Sequence, residues 1–231
     1  MGELIVLAER LADRSRPGRG GSRPAFFYDL ACPFSYLAAE RVERLLGDVE
    51  WIPAGGLGPG AEGLEPWVAE RAEQRAAELR LPLVWPDRFP SDAPGARRIA
   101  ARAAEIGSDS RFALAALRLA FCGGFDLDDP EVLAEAAAAA GLTLEECLAA
   151  AGDPALDEVL NATTRGLIAQ GVRQLPAVRV GHRFFDGERR LPEVSALLHA
   201  PVITGDAPVA QQCEAISRAT GHWGRPMAPA G

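Results

Sequence analysis

Strand pattern in this chain is confined to two short stretches, one ending near residue 53 and the other beginning near residue 177, with only helix starts and stops between them. Phe26-Phe27-Tyr28 is a short aromatic run and Val49-Glu50-Trp51-Ile52-Pro53 a second strand. Between them Ala38, Val42, Leu45 and Leu46 fall at helical spacing and Gly47 stops the helix. A strand, helix and strand of this size predict a parallel pair. Far along the chain Ala177-Val178-Arg179-Val180 alternates, Gly181-His182 makes a two-residue turn, Phe184-Phe185 pairs back, and a helix is predicted from Leu191 to His199.

The intervening block is punctuated as helices. Ser110 is placed to cap a helix carrying Leu114, Leu117 and Phe121, which Gly123-Gly124 ends. Asp129-Pro130 supplies a cap and a first-turn proline, and Thr143 with Glu146 has capping-box spacing. Asp153-Pro154 opens a further helix with Leu156, Val159, Leu160, Thr163 and Leu167 on one stripe. The alanine run 136–140 reads as close helix packing. The expected layout is an arm over residues 1–24, an α/β domain made of residues 25–57 and 153–200, an inserted all-helical domain over 58–152, and a tail over 201–231.

Composition narrows the function. The 231 residues, 48% of them hydrophobic, can fill a substantial core, and no stretch approaches the roughly 20 apolar residues of a membrane span. A formal charge of −8 argues against nucleic acid or an anionic membrane as partner. No lysine is present, which excludes Schiff-base chemistry by a lysine. Cysteines at 32, 122, 147 and 213 and histidines at 182, 199 and 222 are too scattered for a metal site, so no metal is expected and the thiols read as reduced. Asp126, Asp128 and Asp129 belong to the Asp-Pro cap, and Arg97, Arg98 and Arg102 read as a solvated helix face. The expected location is cytoplasmic.

Chemistry concentrates at Cys32-Pro33-Phe34-Ser35, at the turn from the first strand into the first helix. A helix start offers unpaired N–H groups and partial positive charge, conditions that bring a cysteine pKa from about 8.5 into the range of about 3.5 to 7.5. Pro33 suits the first helical turn. Ser35 occupies the second position of a Cys-x-x-Cys pair, where it can donate a hydrogen bond but cannot form a disulfide. The alternative for Cys32 is an inert buried thiol. Leu175-Pro176 stands at the start of a strand, where a proline weakens a central ladder. A cis bond there is one explanation, leaving the preceding residue's N–H and C=O free to pair with an extended peptide or a thiol tripeptide; a trans proline is the other.

Together these segments resemble the thioredoxin superfamily, specifically the DsbA family with its inserted helical domain. Within it the chain is similar to the branch of 2-hydroxychromene-2-carboxylate isomerase and the kappa-class glutathione transferases. The likeness rests on Phe27 to Leu37, on Trp51-Ile52-Pro53-Ala54-Gly55-Gly56-Leu57, on Pro86-Asp87-Arg88-Phe89-Pro90, and on Phe121-Cys122-Gly123-Gly124 with Asp128-Asp129-Pro130. The resemblance implies a thioredoxin-like α/β fold over about residues 25–199, Cys32 as nucleophile and Pro176 as a cis proline facing it. Two departures stand out. The branch has serine where Cys32 stands, and its Gly-x-Asp-Arg motif for glutathione is replaced by Gly187-Glu188-Arg189-Arg190, with Arg189 in the aspartate's place or Glu188 after a one-residue shift.

The leading expectation is thus a monothiol thiol-disulfide oxidoreductase, with Cys32 and Ser35 catalytic and Pro33, Phe34, Tyr36, Leu175, Pro176 and Glu188 binding substrate or thiol. No permanently bound cofactor is expected; glutathione or another low-molecular-weight thiol is the candidate co-reactant. Partners are a protein disulfide or a small thiol or aromatic substrate, with arm and tail suited to a homodimer. The second expectation is a glutathione-dependent isomerase or transferase holding an aromatic molecule between Phe34, Tyr36 and the helical domain. The third is a non-catalytic binding protein of the same fold.

Overall fold

The computed structural model describes residues 23–57, 66–89 and 92–200. The expected arm up to residue 22 and the tail 201–231, with Cys213 and His222, lie outside the described residues. Strands β1 (Ala25–Tyr28), β2 (Glu50–Pro53), β3 (Ala177–Val180) and β4 (Arg183–Asp186) form one sheet in the order β2-β1-β3-β4. The helices are α1 (Pro33–Leu46), α2 (Pro66–Leu79), α3 (Pro94–Glu105), α4 (Asp109–Phe121), α5 (Pro130–Ala139), α6 (Leu144–Ala151), α7 (Ala155–Ala169) and α8 (Leu191–His199), with a 3-10 turn over Glu188–Arg190. This is the expected α/β fold with a helical insertion.

β1 is central, and its four residues are all buried because both faces of the sheet are covered. β2 runs parallel to it with Phe26 opposite Trp51, as a strand-helix-strand unit requires, and β3 runs antiparallel with Phe26 opposite Val178. Side-chain alternation then sorts two cores. Phe26, Tyr28, Trp51, Val178 and Phe185 face α1 and α8. Ala25, Phe27, Ile52 and Ala177 face the last turn of α7, with Leu167, Val172 and Leu175 beneath them.

The larger core does not stop at the sheet. It runs without a break into the inserted helices through Ile99, Phe112, Leu117 and Phe121, and Leu156 and Leu160 of α7 belong to the same core. Alanines at 96, 100, 101, 103, 113, 116, 136 and 137 are buried at the helix contacts, where their small side chains let axes approach closely. α4 begins at Asp109 after Ser108, two residues before the serine expected to cap it. Ser108 makes no side-chain cap bond, and Asp109 places an acid in the first turn instead.

α6 is short and mostly exposed, so its N-terminal cap matters. The Thr143 hydroxyl accepts from the Glu146 N–H at 3.2 Å while the Glu146 carboxylate accepts from the Thr143 N–H at 2.8 Å. Thr143→Ala is expected to lower stability by about 1 kcal/mol, read as a lower urea midpoint at unchanged slope.

Candidate functional site

Cys32 sits at the N-cap of α1 with extended backbone (φ −107°, ψ 116°), and Pro33 takes the first helical position. The turn that delivers it is built by Asp29. The Asp29 carboxylate accepts from the Ala31 N–H at 3.0 Å and its carbonyl accepts from the Cys32 N–H at 3.1 Å, an acid-initiated turn of the ordinary kind. The Asp29 N–H donates to the Ser35 hydroxyl at 3.1 Å, and the Gly56 N–H donates to the other carboxylate oxygen at 3.2 Å. One buried residue, through its backbone and its side chain together, therefore ties the end of β1, the first turn of α1 and the loop leaving β2.

Opposite the sulfur stands Leu175, joined to Pro176 by a cis peptide bond. The Cys32 thiol donates to the Leu175 carbonyl, with sulfur and oxygen 3.6 Å apart. The Leu175 N–H donates to the Leu57 carbonyl at 3.4 Å. Both backbone groups that the sequence left free for a guest thus have partners within the chain. The Pro176 carbonyl accepts from the Gly187 N–H at 2.7 Å. Gly187 has φ +90°, and a Cβ there would stand 2.6 Å from the Gln174 side chain, so only glycine fits this bend.

The electrostatics differ from the sequence expectation. Cys32 is 5% exposed, and its pKa is pushed up to about 11, first by burial and then by the negative charge of Asp29. The helix start does act on it: the backbone N–H groups of Ser35 and Phe34 and the Ser35 hydroxyl favour the anion. Their pull is smaller than the loss of water, so the site holds a thiol and not the expected thiolate.

The remaining predicted residues divide. Ser35 is fully buried beside the sulfur, and Phe34 is half-buried against the main core. Tyr36 is 1% exposed, its hydroxyl donating to the Pro82 carbonyl at 2.9 Å and its ring stacked on Phe121, so it builds core and does not wall an open pocket. Glu188 is not free to hold a thiol. Its carboxylate pairs with Arg41 of α1 and receives Arg75 of α2 at 2.8 and 3.0 Å, because a buried charge at the start of the 3-10 turn requires counter-ions. Arg189, the other residue in that motif, is exposed and near Glu78.

Two of the arginines read as a solvated face are not one. Arg98 grips Asp157 with two hydrogen bonds at 2.8 and 2.7 Å, and Arg97 brings Nε within 3.5 Å of Asp29. Only Arg102 follows the reading, with Glu105 one turn on. Cys122 is exposed at the end of α4 and Cys147 buried in α6. Asp29 had a signal in sequence, an acid directly after an aromatic strand and before a Cys-Pro turn. Arg97 had none, since α3 brings it across a long span of chain.

Among the described residues no group of metal-ligating side chains is assembled, and no described helix is long and apolar enough to cross a membrane. Residues 25–199 match the family model of the DSBA-like thioredoxin domain. In fold the chain is similar to 2-hydroxychromene-2-carboxylate isomerase, at 15% identity and TM-score 0.65, over 84% of this chain and 98% of that one. It is similar to a probable DsbA oxidoreductase from Streptomyces coelicolor, at 20% identity and TM-score 0.61, over 90% and 93%. A third similar structure is the cytosolic disulfide reductase DsbM from Pseudomonas aeruginosa, at 23% identity and TM-score 0.58, over 76% and 96%, a protein also solved with GSH. A search of the curated proteins finds no match.

Proposed function

The chain belongs to the DSBA-like thioredoxin domain family, and from that premise we propose that it exchanges thiols and disulfides through Cys32 alone, with a low-molecular-weight thiol such as glutathione as co-reactant. The observation that carries this reading is the Cys32 sulfur on the Leu175 carbonyl, beside Pro176, with a serine where a second thiol would stand. In the first step Cys32 loses its proton and attacks a disulfide RSSR′. A Cys32–SR bond forms, the S–S bond breaks, and R′S⁻ leaves and takes up a proton. No described cysteine accompanies Cys32 in the turn, so an external thiol R″SH then attacks the mixed disulfide, releasing RSSR″ and restoring Cys32. A reducing compartment such as the cytoplasm, where DsbM works, would supply that thiol.

Oxidised glutathione is the probe. Incubation at pH 9, followed by intact mass and peptide mapping, is expected to place one glutathione on Cys32, lost in Cys32→Ser. Mapping matters because Cys122 is exposed and offers a second site. An adduct confined to Cys122 would end this reading.

The raised Cys32 pKa favours a second reading. A neutral thiol is a hydrogen-bond donor, as is the serine that the isomerase branch carries at this place, so Cys32 would hold the sulfur of a bound thiol without attacking it. Titration calorimetry with reduced glutathione separates the two: binding without any Cys32 adduct from oxidised glutathione supports the isomerase or transferase reading.

A further inference from the structure

The turn that presents the Cys32 sulfur is built on one member of a buried charge pair. Asp29 is at the end of β1, its side chain 7% exposed, and Arg97 reaches it from α3 in the inserted helices, Nε to Oδ1 3.5 Å. The Arg97 Nε is buried and makes no hydrogen bond, so its interaction with Asp29 is one of charge. The guanidinium packs against the loop after β2: a Cβ added to Gly55 would lie 3.1 Å from Nε. Gly55 is itself fixed by the Thr164 hydroxyl of α7, which donates to its carbonyl at 3.0 Å.

We infer that Asp29 and Arg97 are a pair of positioning residues that modulates the protonation of Cys32: the Asp29 charge adds to burial in favouring the thiol on the Leu175 carbonyl, and Arg97 moderates that charge. The inference rests on Cys32 being the reacting atom. Its physics is elementary. A carboxylate beside a dry sulfur opposes a second negative charge, and a guanidinium beside the carboxylate weakens that opposition. Two further titratable groups among the described residues have other neighbours. Asp157 of α7 lies near Arg97 but is gripped by Arg98, and the Tyr28 hydroxyl faces Asp109. Ser35, Leu175 and Thr164, from the other elements at the site, carry no charge. The helical insertion therefore reaches the reacting centre through Arg97 and modulates how much of the sulfur ionises at a given pH.

The test is the pH profile of Cys32 alkylation by iodoacetamide, followed by peptide mapping, in the wild type, Asp29→Asn, Arg97→Gln and Arg97→Lys. Asp29→Asn is expected to move the profile about one pH unit lower, raising the rate at pH 9 about tenfold. Arg97→Gln is expected to slow it several-fold at the same pH, and Arg97→Lys, which keeps the charge, to stay within about twofold of wild type. A purely structural role would loosen the site in both Asp29→Asn and Arg97→Gln and speed both reactions, so two accelerations, or no change in either, overturn the inference. Alkylation reports ionisation whether or not disulfides exchange. A glutathione adduct on Cys32 with an unmoved Asp29→Asn profile sinks the inference and leaves the function; the moved profile without an adduct does the reverse.

Discussion

Replacing Glu188 by alanine is expected to lower the stability of the folded chain by about 3–5 kcal/mol. The carboxylate is 1% exposed and neutralises two guanidinium groups, Arg41 at 9% and Arg75 at 14% exposed. Its loss leaves both cations facing each other in a dry space, with Glu78 as counter-ion for Arg75 only. The cost therefore comes from stranding buried charge more than from the attraction removed. Replacing Arg41 and Glu188 together by methionine is expected to recover much of the loss, since apolar side chains of similar length strand less charge. Urea unfolding of the three proteins is the measurement. A Glu188→Ala protein within about 1 kcal/mol of wild type would show that water reaches the cluster and that it behaves as a surface pair.

Phe121→Ala carries an expected cost of similar size, about 3–5 kcal/mol. Phe121 is 1% exposed and sits amid rings: Tyr36 at 5.9 Å, Phe89 at 5.5 Å and Trp85 at 6.3 Å between centroids. Its carbonyl also accepts from the Val84 N–H at 2.8 Å, pinning the segment after α2 to the end of α4. That segment supplies the Pro82 carbonyl on which the Tyr36 hydroxyl rests, one helical turn from Cys32. Truncation would thus leave a cavity beside α1 as well as loosening the segment. A Phe121→Leu protein is expected to lose less, because part of the volume is kept. Equal losses for Ala and Leu would mean that ring geometry, not filled volume, holds this corner.

What the sequence disclosed and what it hid have physical reasons. Local signals were legible: the aromatic strand, Pro33 at the first helical position, the Asp129 cap, the Thr143 box and the Gly181-His182 turn all act within a few residues of themselves. Long-range charge was not. Glu188, Arg41 and Arg75 come from three separate elements, and nothing in the spacing of any one of them announces a buried partner. The same holds for Arg97, which lies on a helix that also bears the ordinary surface arginine Arg102. The ionisation of Cys32 was misjudged because a helix start is visible in sequence while the water excluded around it is a property of the finished core.

A sulfur that stays protonated is also a durable one. Peroxides and stray oxidants attack the anion, and the oxidised products of a cysteine with no second thiol at hand climb toward irreversible acids. At 5% exposure and a pKa of about 11, Cys32 is shielded from that ageing. Its resting inertness doubles as chemical protection.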